Sequence, residues 1–195
     1  MSTEKQVAPV PKVGDRAPWS DQIQFPSAKP VLLVFLRHCG CPFAEKTFRS
    51  LATFSVKHPS VHCIAVSHCS QADTDGWVIK VGGEWNVEVV VDESRELYRQ
   101  WGLGTTSTWY AMSPWNLYSA YRLGEDEGIW GTAGGPGYGL KLKTGSRWQM
   151  GGAFAIDASG FVRWTFVPRA ANHLPSFQDA LRALEAAKSG ATGLA

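Results

Sequence analysis

The sequence predicts an α/β sandwich, in which a mixed β-sheet is flanked by helices. Three patterns support this prediction: an apolar run over residues 31–36 that leads into a helical pattern, further strand and helix patterns up to residue 101, and two alternating strands before a C-terminal helix. Parallel strands joined by helices and followed by an antiparallel hairpin place helices on both faces of one sheet.

The first strand and the first helix form the centre of this prediction. Residues 31–36, VLLVFL, are all apolar, as expected for a strand that is buried on both faces. Pro42 follows a short loop and suits the first turn of a helix. This helix is predicted to place one set of side chains on its inner side: Phe43, Thr47, Phe48, Leu51 and Phe54.

Two more strand and helix units follow along the chain. Residues 61–67 alternate as a second buried strand, and residues 71–83 predict a helix that Gly82 and Gly83 end. Its inward side chains are predicted to be Trp77, Val78 and Val81. Residues 87–91 predict a third strand. Asp92 is then expected to cap a helix whose apolar side chains are Leu97, Tyr98 and Trp101.

Residues 102–150 differ from the rest of the chain, because glycine, threonine and tryptophan dominate them. We interpret them as a long insertion, with a short helix over residues 115–121. The insertion either covers one face of the sheet or forms the wall of a pocket for an apolar or aromatic substrate. The candidate substrate-binding residues are Trp109, Trp115, Tyr118 and Arg147.

The C-terminal part predicts a hairpin and a closing helix. Residues 152–157 and 161–167 alternate as two strands around a turn at residues 158–160, and Pro175 is expected to start the last helix. The predicted organisation is a flexible N-terminal arm over residues 1–12, a single domain over residues 13–188, and a tail over residues 189–195.

Composition excludes several classes of function. The chain has 44% hydrophobic and 18% charged residues and a net charge of +2, which is typical of a soluble globular protein and predicts neither a nucleic-acid nor a membrane partner. The N-terminus lacks the apolar core of a signal peptide, so we expect a cytoplasmic protein. No cofactor and no metal are predicted, and a homodimer is left open.

All four cysteines lie between residues 39 and 69. An even number could form the disulfide framework of a secreted protein, or, with nearby histidines, bind zinc. Without a signal peptide reduced thiols are the favoured interpretation. Zinc is disfavoured because Cys63 falls inside a predicted strand, whereas structural zinc sites usually take paired cysteines from turns.

Cys41 is the candidate nucleophile. It lies where a buried strand meets a helix N-terminus, and the helix dipole and free backbone N–H groups there favour the thiolate. Arg37 can stabilise a thiolate or an oxyanion, and His38 is either a proton donor or a strand-end residue that reaches solvent. Oxidised Cys41 then needs a resolving thiol, which could be Cys39, Cys69, or an external thiol such as glutathione or thioredoxin.

The element order, with cysteine at the N-terminus of the first long helix, resembles the thioredoxin fold. Two segments, VGDRAP near the N-terminus and GGAFAIDASGFVRW in the hairpin, resemble the peroxiredoxin (AhpC/TSA) family. The Arg37-His38 pair ahead of the cysteines resembles peroxiredoxin-like proteins with an R-H-x-x-C-x-x-C centre. This resemblance implies a peroxiredoxin-like thiol oxidoreductase that acts on peroxide or disulfide with a thiol reductant.

The chain also departs from the family pattern. The family's proline and threonine, seven and three residues before the reactive cysteine, correspond to Val34 and His38, and its second arginine corresponds to Gly151. The second cysteine of the C-x-x-C centre corresponds to Ala44. These departures imply weak peroxidase activity. They keep open a second class of function, in which the same scaffold binds or transforms another small molecule by non-redox chemistry.

Overall fold

The computed structural model describes residues 6–105, 145–170 and 172–192. Within these ranges the strands and helices follow the predicted order, βαβαβα and then ββα. They are β1 (Val31–Phe35), α1 (Pro42–Lys57), β2 (His62–Ser67), α2 (Gln71–Lys80), β3 (Val87–Val91), α3 (Glu96–Gln100), β4 (Gly152–Ile156), β5 (Val162–Phe166) and α4 (Phe177–Thr192). The predicted helix over residues 115–121 lies outside the described residues.

The strands form one mixed sheet in the order β3-β2-β1-β4-β5. β1 pairs in parallel with β2, and β2 with β3, whereas β4 pairs antiparallel with both β1 and β5. The prediction of a central, buried first strand is confirmed, because every residue of β1 is at most 2% exposed. Its carboxyl end therefore opens into the middle of one edge of the sheet.

The sheet separates two apolar layers, so the predicted sandwich is confirmed. On one face Leu32 and Val34 of β1 pack with apolar side chains of α1, α2 and α4. On the other face Leu33 and Phe35 pack with α3 and the segment that follows it. This alternation follows from the two-residue period of a strand.

Helix boundaries differ from the predictions at three places. The second helix ends at Lys80 rather than Gly83, and the last begins at Phe177 rather than Pro175. The N-cap of α3 is Arg95, in a left-handed conformation with φ 58°, and not Asp92. The Asp92 carboxylate nevertheless accepts the backbone N–H groups of Glu96 (3.0 Å) and Tyr98 (3.3 Å), so it stabilises the start of the helix from outside.

The described part of the N-terminal segment makes specific contacts with the domain. The Ala8 N–H donates to the Arg99 carbonyl (2.9 Å), and the Thr165 hydroxyl donates to the Pro11 carbonyl (3.0 Å). Among the helices of the described ranges, none combines the length and the apolar character that a membrane crossing requires.

Candidate active site

Two loops meet at the carboxyl edge of the sheet, one after β1 and one after β2. Since β1 and β2 are parallel neighbours, with Phe35 opposite Val66, the segments that follow them emerge side by side. The first loop carries Arg37, His38, Cys39 and Cys41, and the second carries His68 and Cys69. The sheet thus brings together residues that are about 30 positions apart in the sequence.

Cys41 is the N-cap residue of α1. Its backbone is extended (φ −96°, ψ 124°), and its carbonyl accepts the N–H groups of Ala44 (2.9 Å) and Glu45 (3.2 Å). Its side chain makes no capping hydrogen bond. Cys41 is half-buried, whereas Cys39, Cys63 and Cys69 are fully buried. It is therefore the cysteine that solvent reaches, and it lies where backbone N–H groups of the first turn favour a negative charge.

Cys39 and Cys69 form a buried pair within the apolar cluster against which Cys41 packs. Each is 0% exposed, and the Cys39 thiol and backbone N–H both donate hydrogen bonds to the Cys69 sulfur. The Ser67 hydroxyl lies 3.4 Å from the Cys39 sulfur and 2.9 Å from the Thr74 hydroxyl. We call these four residues, Cys39, Ser67, Cys69 and Thr74, the thiol cluster. Cys41 packs against the apolar core that contains Cys39 and Cys69.

The two sulfurs of the thiol cluster differ in the direction in which their surroundings shift the pKa. The hydrogen bond that Cys39 donates to Cys69, together with burial, raises the pKa of Cys39. The same hydrogen bond lowers the pKa of Cys69, although burial and the charge of Asp73 oppose this effect. A negative charge in the thiol cluster therefore resides on Cys69, and Cys39 keeps its proton.

Two buried histidines border the thiol cluster. His38 is 5% exposed and His68 is 2% exposed, and their ring centroids are 6.3 Å apart. The His38 Nδ1 accepts the Gly40 N–H (3.1 Å), which stabilises the turn between Cys39 and Cys41. The interpretation of His38 as a residue that only reaches solvent is wrong, because the loop folds its ring inward.

His68 is held neutral by its surroundings. Burial lowers its pKa to about 4, and the charges of His38 and Arg95 act in the same direction. Its Nε2 lies 2.9 Å from the Ser146 carbonyl. Because a carbonyl can only accept, the proton of the neutral ring is on Nε2. The Nδ1 atom faces the Tyr98 hydroxyl at 3.4 Å, and that hydroxyl lies 2.7 Å from the Leu36 carbonyl and 2.8 Å from the Val66 carbonyl.

Gly145 covers the thiol cluster and the two histidines. Its φ is +82°, and a Cβ atom there would lie 2.8 Å from the Cys69 sulfur and 3.3 Å from the His38 Cδ2. We expect Gly145→Ala to destabilise the protein by about 2 kcal/mol, from backbone strain and overlap together. We also expect faster alkylation of Cys69, because the covering segment must move. Chemical denaturation and peptide mass after limited iodoacetamide treatment measure the two effects.

Gly83→Ala is the matched control for this variant. Gly83 has a similar φ of +89°, but a Cβ atom there meets nothing within 4 Å, so the control carries the backbone strain alone. Equal destabilisation in the two variants, with unchanged labelling of Cys69, would show that Gly145 does not cover the thiol cluster.

Arg37 lies on the other side of the loop, beside a small pocket. Among the described residues, the pocket is lined by Arg37 with residues of β1, of α1, of the hairpin and of the segment before α4: Phe35, Leu36, Phe43, Ala44, Thr47, Gly151, Gly152, Phe166, Pro168, His173, Leu174 and Pro175. The aliphatic part of Arg37 lies over Gly151, where a Cβ atom would be 3.2 Å from the Arg37 Cγ. The pocket therefore has a largely apolar wall to which Arg37 contributes the one charged side chain among the described lining residues.

The remaining predicted site residues lie elsewhere. Arg147 is exposed, in the segment that covers the histidines. Trp109, Trp115 and Tyr118 lie outside the described residues, and so does the pocket they were predicted to wall. Cys63 is buried in the middle of β2, and burial raises its pKa to about 12, as expected for a structural cysteine.

Several residues of the site carried no clear signal in the sequence. Ser67 could have been found, because it is the last residue of a predicted strand and precedes His68 and Cys69. Thr74 and Tyr98 could not, because their hydroxyl partners lie on other elements. His173 also carried no signal; it lines the pocket to which Arg37 contributes, and its ring centroid lies 4.7 Å from that of Phe166.

A metal site requires several ligating side chains around one point. Within the described ranges, no group of three or more histidine, cysteine, aspartate or glutamate side chains is arranged to hold a metal ion. The contacts of Cys39 and Cys69 described above are with each other and with hydroxyl groups.

The sequence matches the AhpC/TSA antioxidant enzyme family over residues 48–170. The chain belongs to this family. The matched range contains Cys63 and Cys69 and begins after Cys41, so family membership does not itself assign a role to the Arg37–Cys41 loop.

Solved structures confirm the thioredoxin-like fold of this AhpC/TSA family member. A peroxiredoxin-like protein from Aquifex aeolicus superposes with a TM-score of 0.62 at 15% identity, over 92% of this chain and 89% of that chain. A thiol peroxidase from Chromobacterium violaceum gives 0.61 at 14% identity, over 94% and 91% of the two chains. A candidate thiol:disulfide interchange protein, DsbE, from Chlorobium tepidum gives 0.55 at 16% identity, over 89% and 99%. No curated protein matches the sequence.

Proposed function

We propose that the protein is a thiol-dependent oxidoreductase in which Cys41 attacks a peroxide or a disulfide. The observation that carries this proposal is the meeting of three cysteines at one edge of the sheet. One of them is half-buried at a helix N-terminus, and the other two are buried and hydrogen-bonded to each other. Membership of the AhpC/TSA antioxidant enzyme family supports a thiol-dependent redox function.

The first step is a nucleophilic attack by the Cys41 thiolate. With a peroxide, sulfur bonds to the distal oxygen, the O–O bond breaks, an alcohol or water leaves, and Cys41 becomes a sulfenic acid. With a disulfide, sulfur forms a mixed disulfide and releases a thiolate. The backbone N–H groups at the start of α1 stabilise the thiolate, and Arg37, at the edge of the adjacent pocket, supplies positive charge near the incoming substrate.

The proposed peroxidase step is slow for this fold. The positions of the family's proline and threonine are Val34, which is 1% exposed inside β1, and His38, whose Nδ1 accepts the Gly40 N–H. Val34 offers no polar group to a peroxide beside Cys41, and His38 replaces a hydroxyl group by an imidazole ring whose Nδ1 is already used by Gly40. Because catalysis by positioning is sensitive to the loss of such groups, a disulfide or a reactive hydroperoxide is the better substrate class. Glutathione and thioredoxin are the candidate reductants.

Substitution of Cys41 tests the proposed function. Cys41→Ser is expected to lower the rate of peroxide consumption with dithiothreitol as reductant by at least about a hundredfold, because the nucleophile is lost. Cys63→Ala is the control, since it removes a buried thiol away from the site and is expected to keep the wild-type rate. The measurement is peroxide loss over time at equal protein concentration. A Cys41→Ser rate above about one tenth of the wild-type rate would exclude Cys41 as the nucleophile.

A further inference from the structure

Cys39 and Cys69 are two buried thiols that could form a disulfide, and Cys41 is the accessible cysteine of the same site. Cys39 is two residues from Cys41 along the loop, and its thiol is hydrogen-bonded to the Cys69 sulfur. Cys39 is thus close to Cys41 along the chain and close to Cys69 in space. Both members of the pair are 0% exposed, so a bulky external oxidant or reductant reaches them only through Cys41 or after movement of the covering segment.

We infer that Cys39 relays oxidation from Cys41 to Cys69, so that the oxidised enzyme holds a buried Cys39–Cys69 disulfide. This inference rests on the proposed role of Cys41 and extends it, because it assigns a catalytic role to each of the other two thiols. In this cycle Cys39 is the resolving cysteine, and Cys69 is the final acceptor of the disulfide.

The relay balances in two exchange steps. First, the Cys39 sulfur attacks the Cys41 sulfenic acid, the S–O bond breaks, and the hydroxyl group leaves as water with the proton of the Cys39 thiol. Second, the Cys69 thiolate attacks the Cys39 sulfur of the Cys39–Cys41 disulfide and releases Cys41 as a thiolate. One peroxide is reduced, two thiols become one disulfide, and the nucleophile is regenerated.

The surroundings of Cys69 suit the second step. Its sulfur accepts a hydrogen bond from the Cys39 backbone N–H, which lowers the pKa of Cys69 and which remains after the Cys39 thiol proton has left in the first step. The backbone contact holds the attacking sulfur next to the sulfur it must reach. The disulfide that it attacks lies within a C-x-C segment, and strained disulfides of this kind are the more easily reduced ones. The exchange therefore moves oxidation from a strained bridge to one between two separate loops.

The return path uses the same three cysteines. An external thiol cannot reach the buried Cys39–Cys69 disulfide directly, but the Cys41 thiolate can attack Cys39 and reform the Cys39–Cys41 bridge. That bridge presents the half-buried Cys41 sulfur to the external thiol. Cys41 thus controls both the entry and the exit of oxidising equivalents, and its loss should leave the buried pair fixed in whichever redox state it holds.

Disulfide mapping in variants that each have one cysteine replaced tests the relay. The reduced protein receives either one equivalent of hydrogen peroxide or an excess of oxidised glutathione, and is then acid-quenched, alkylated and mapped by peptide mass. We expect a Cys39–Cys69 disulfide in the wild type and in the Cys63→Ala control. In Cys69→Ser a Cys39–Cys41 disulfide should accumulate, and in Cys39→Ser a Cys41 sulfenic acid or glutathione adduct. In Cys41→Ser the Cys39–Cys69 disulfide should form at least about a hundredfold more slowly.

The outcomes separate the relay from the proposed function. A wild-type product that stays Cys39–Cys41 would overturn the relay while leaving Cys41 as nucleophile. A Cys39–Cys69 disulfide that forms in Cys41→Ser at the wild-type rate would overturn both the relay and the proposed role of Cys41. If Cys41 stayed unmodified in peroxide-treated Cys39→Ser, the proposed attack of Cys41 on peroxide would instead be excluded. If oxidised glutathione still produced Cys39–Cys69 in a Cys41-dependent way, the relay would stand for disulfide substrates. Circular dichroism of each serine variant confirms that it is folded.

Discussion

Acidification from pH 6.5 to pH 4 is expected to destabilise the folded protein by about 3 kcal/mol through His68 alone. Burial lowers the pKa of His68 from 6.5 to about 4 in the folded state, whereas the unfolded chain keeps the ordinary value. Each pKa unit corresponds to about 1.4 kcal/mol, which gives this magnitude. The residue is 2% exposed, so solvent does not screen the effect.

The direction of this effect follows from proton binding. Between pH 6.5 and pH 4 the unfolded chain protonates at His68 and the folded protein does not, so protons favour unfolding. The contribution is absent above pH 6.5, grows as the pH falls, and is complete below about pH 4, where both states are protonated. The protonated ring would carry a second N–H group, at Nδ1, directed at the Tyr98 hydroxyl. That hydroxyl already lies 2.7 Å and 2.8 Å from two carbonyl groups.

Urea denaturation at several pH values measures this prediction. His68→Gln is the control, because an amide can still donate to the Ser146 carbonyl but does not titrate. The difference between the two proteins in unfolding free energy cancels the carboxyl groups that titrate over the same range. A wild-type protein that lost no more stability than His68→Gln between pH 6.5 and pH 4 would show that His68 is not held neutral.

Features of the fold that follow from the spacing of apolar residues were predictable from the sequence, whereas features that depend on individual contacts were not. The strand that organises the sheet was predictable, because residues 31–36 are apolar throughout and only a central strand buries both faces. Proximity of the loops after β1 and β2 was also predictable, since parallel neighbours end at one edge. The inward fold of His38 was not, because it depends on a hydrogen bond between its own ring and the Gly40 N–H.

The ranking of the cysteines shows the same limit. Position at a helix N-terminus singled out Cys41, and burial in a strand singled out Cys63 as structural. The distinction between Cys39 and Cys69 depends on which sulfur receives the other's S–H and N–H groups. That distinction is a matter of ångströms between two loops, and no pattern of residue types along the chain encodes it.

The glycine at position 151, which the sequence resemblance aligns with the family's second arginine, lies where a side chain would have little space, and it leads to a large expected effect. A Cβ atom at Gly151 would lie 2.6 Å from the Phe35 carbonyl oxygen and 3.2 Å from the Arg37 Cγ. The carbonyl belongs to the central strand and cannot move without disturbing β1. The stem of Arg37 thus occupies the space that a side chain at position 151 would need.

We therefore expect Gly151→Ala to destabilise the protein by about 3 kcal/mol, at the upper end of the usual cost of overpacking. Gly151→Arg should destabilise the protein further and should not raise peroxidase activity, because the new side chain would displace Arg37 instead of joining it.

Gly104→Ala is the matched control. A Cβ atom there makes only ordinary contacts, the shortest being 3.6 Å to the Val7 Cγ2, and the stability should stay within about 0.5 kcal/mol. Thermal and urea unfolding measure the three variants. If Gly151→Arg were as stable as the wild type and consumed peroxide faster, the second arginine would be an addition that this fold can accept, and the close approach of residue 151 to β1 would not be what excludes it.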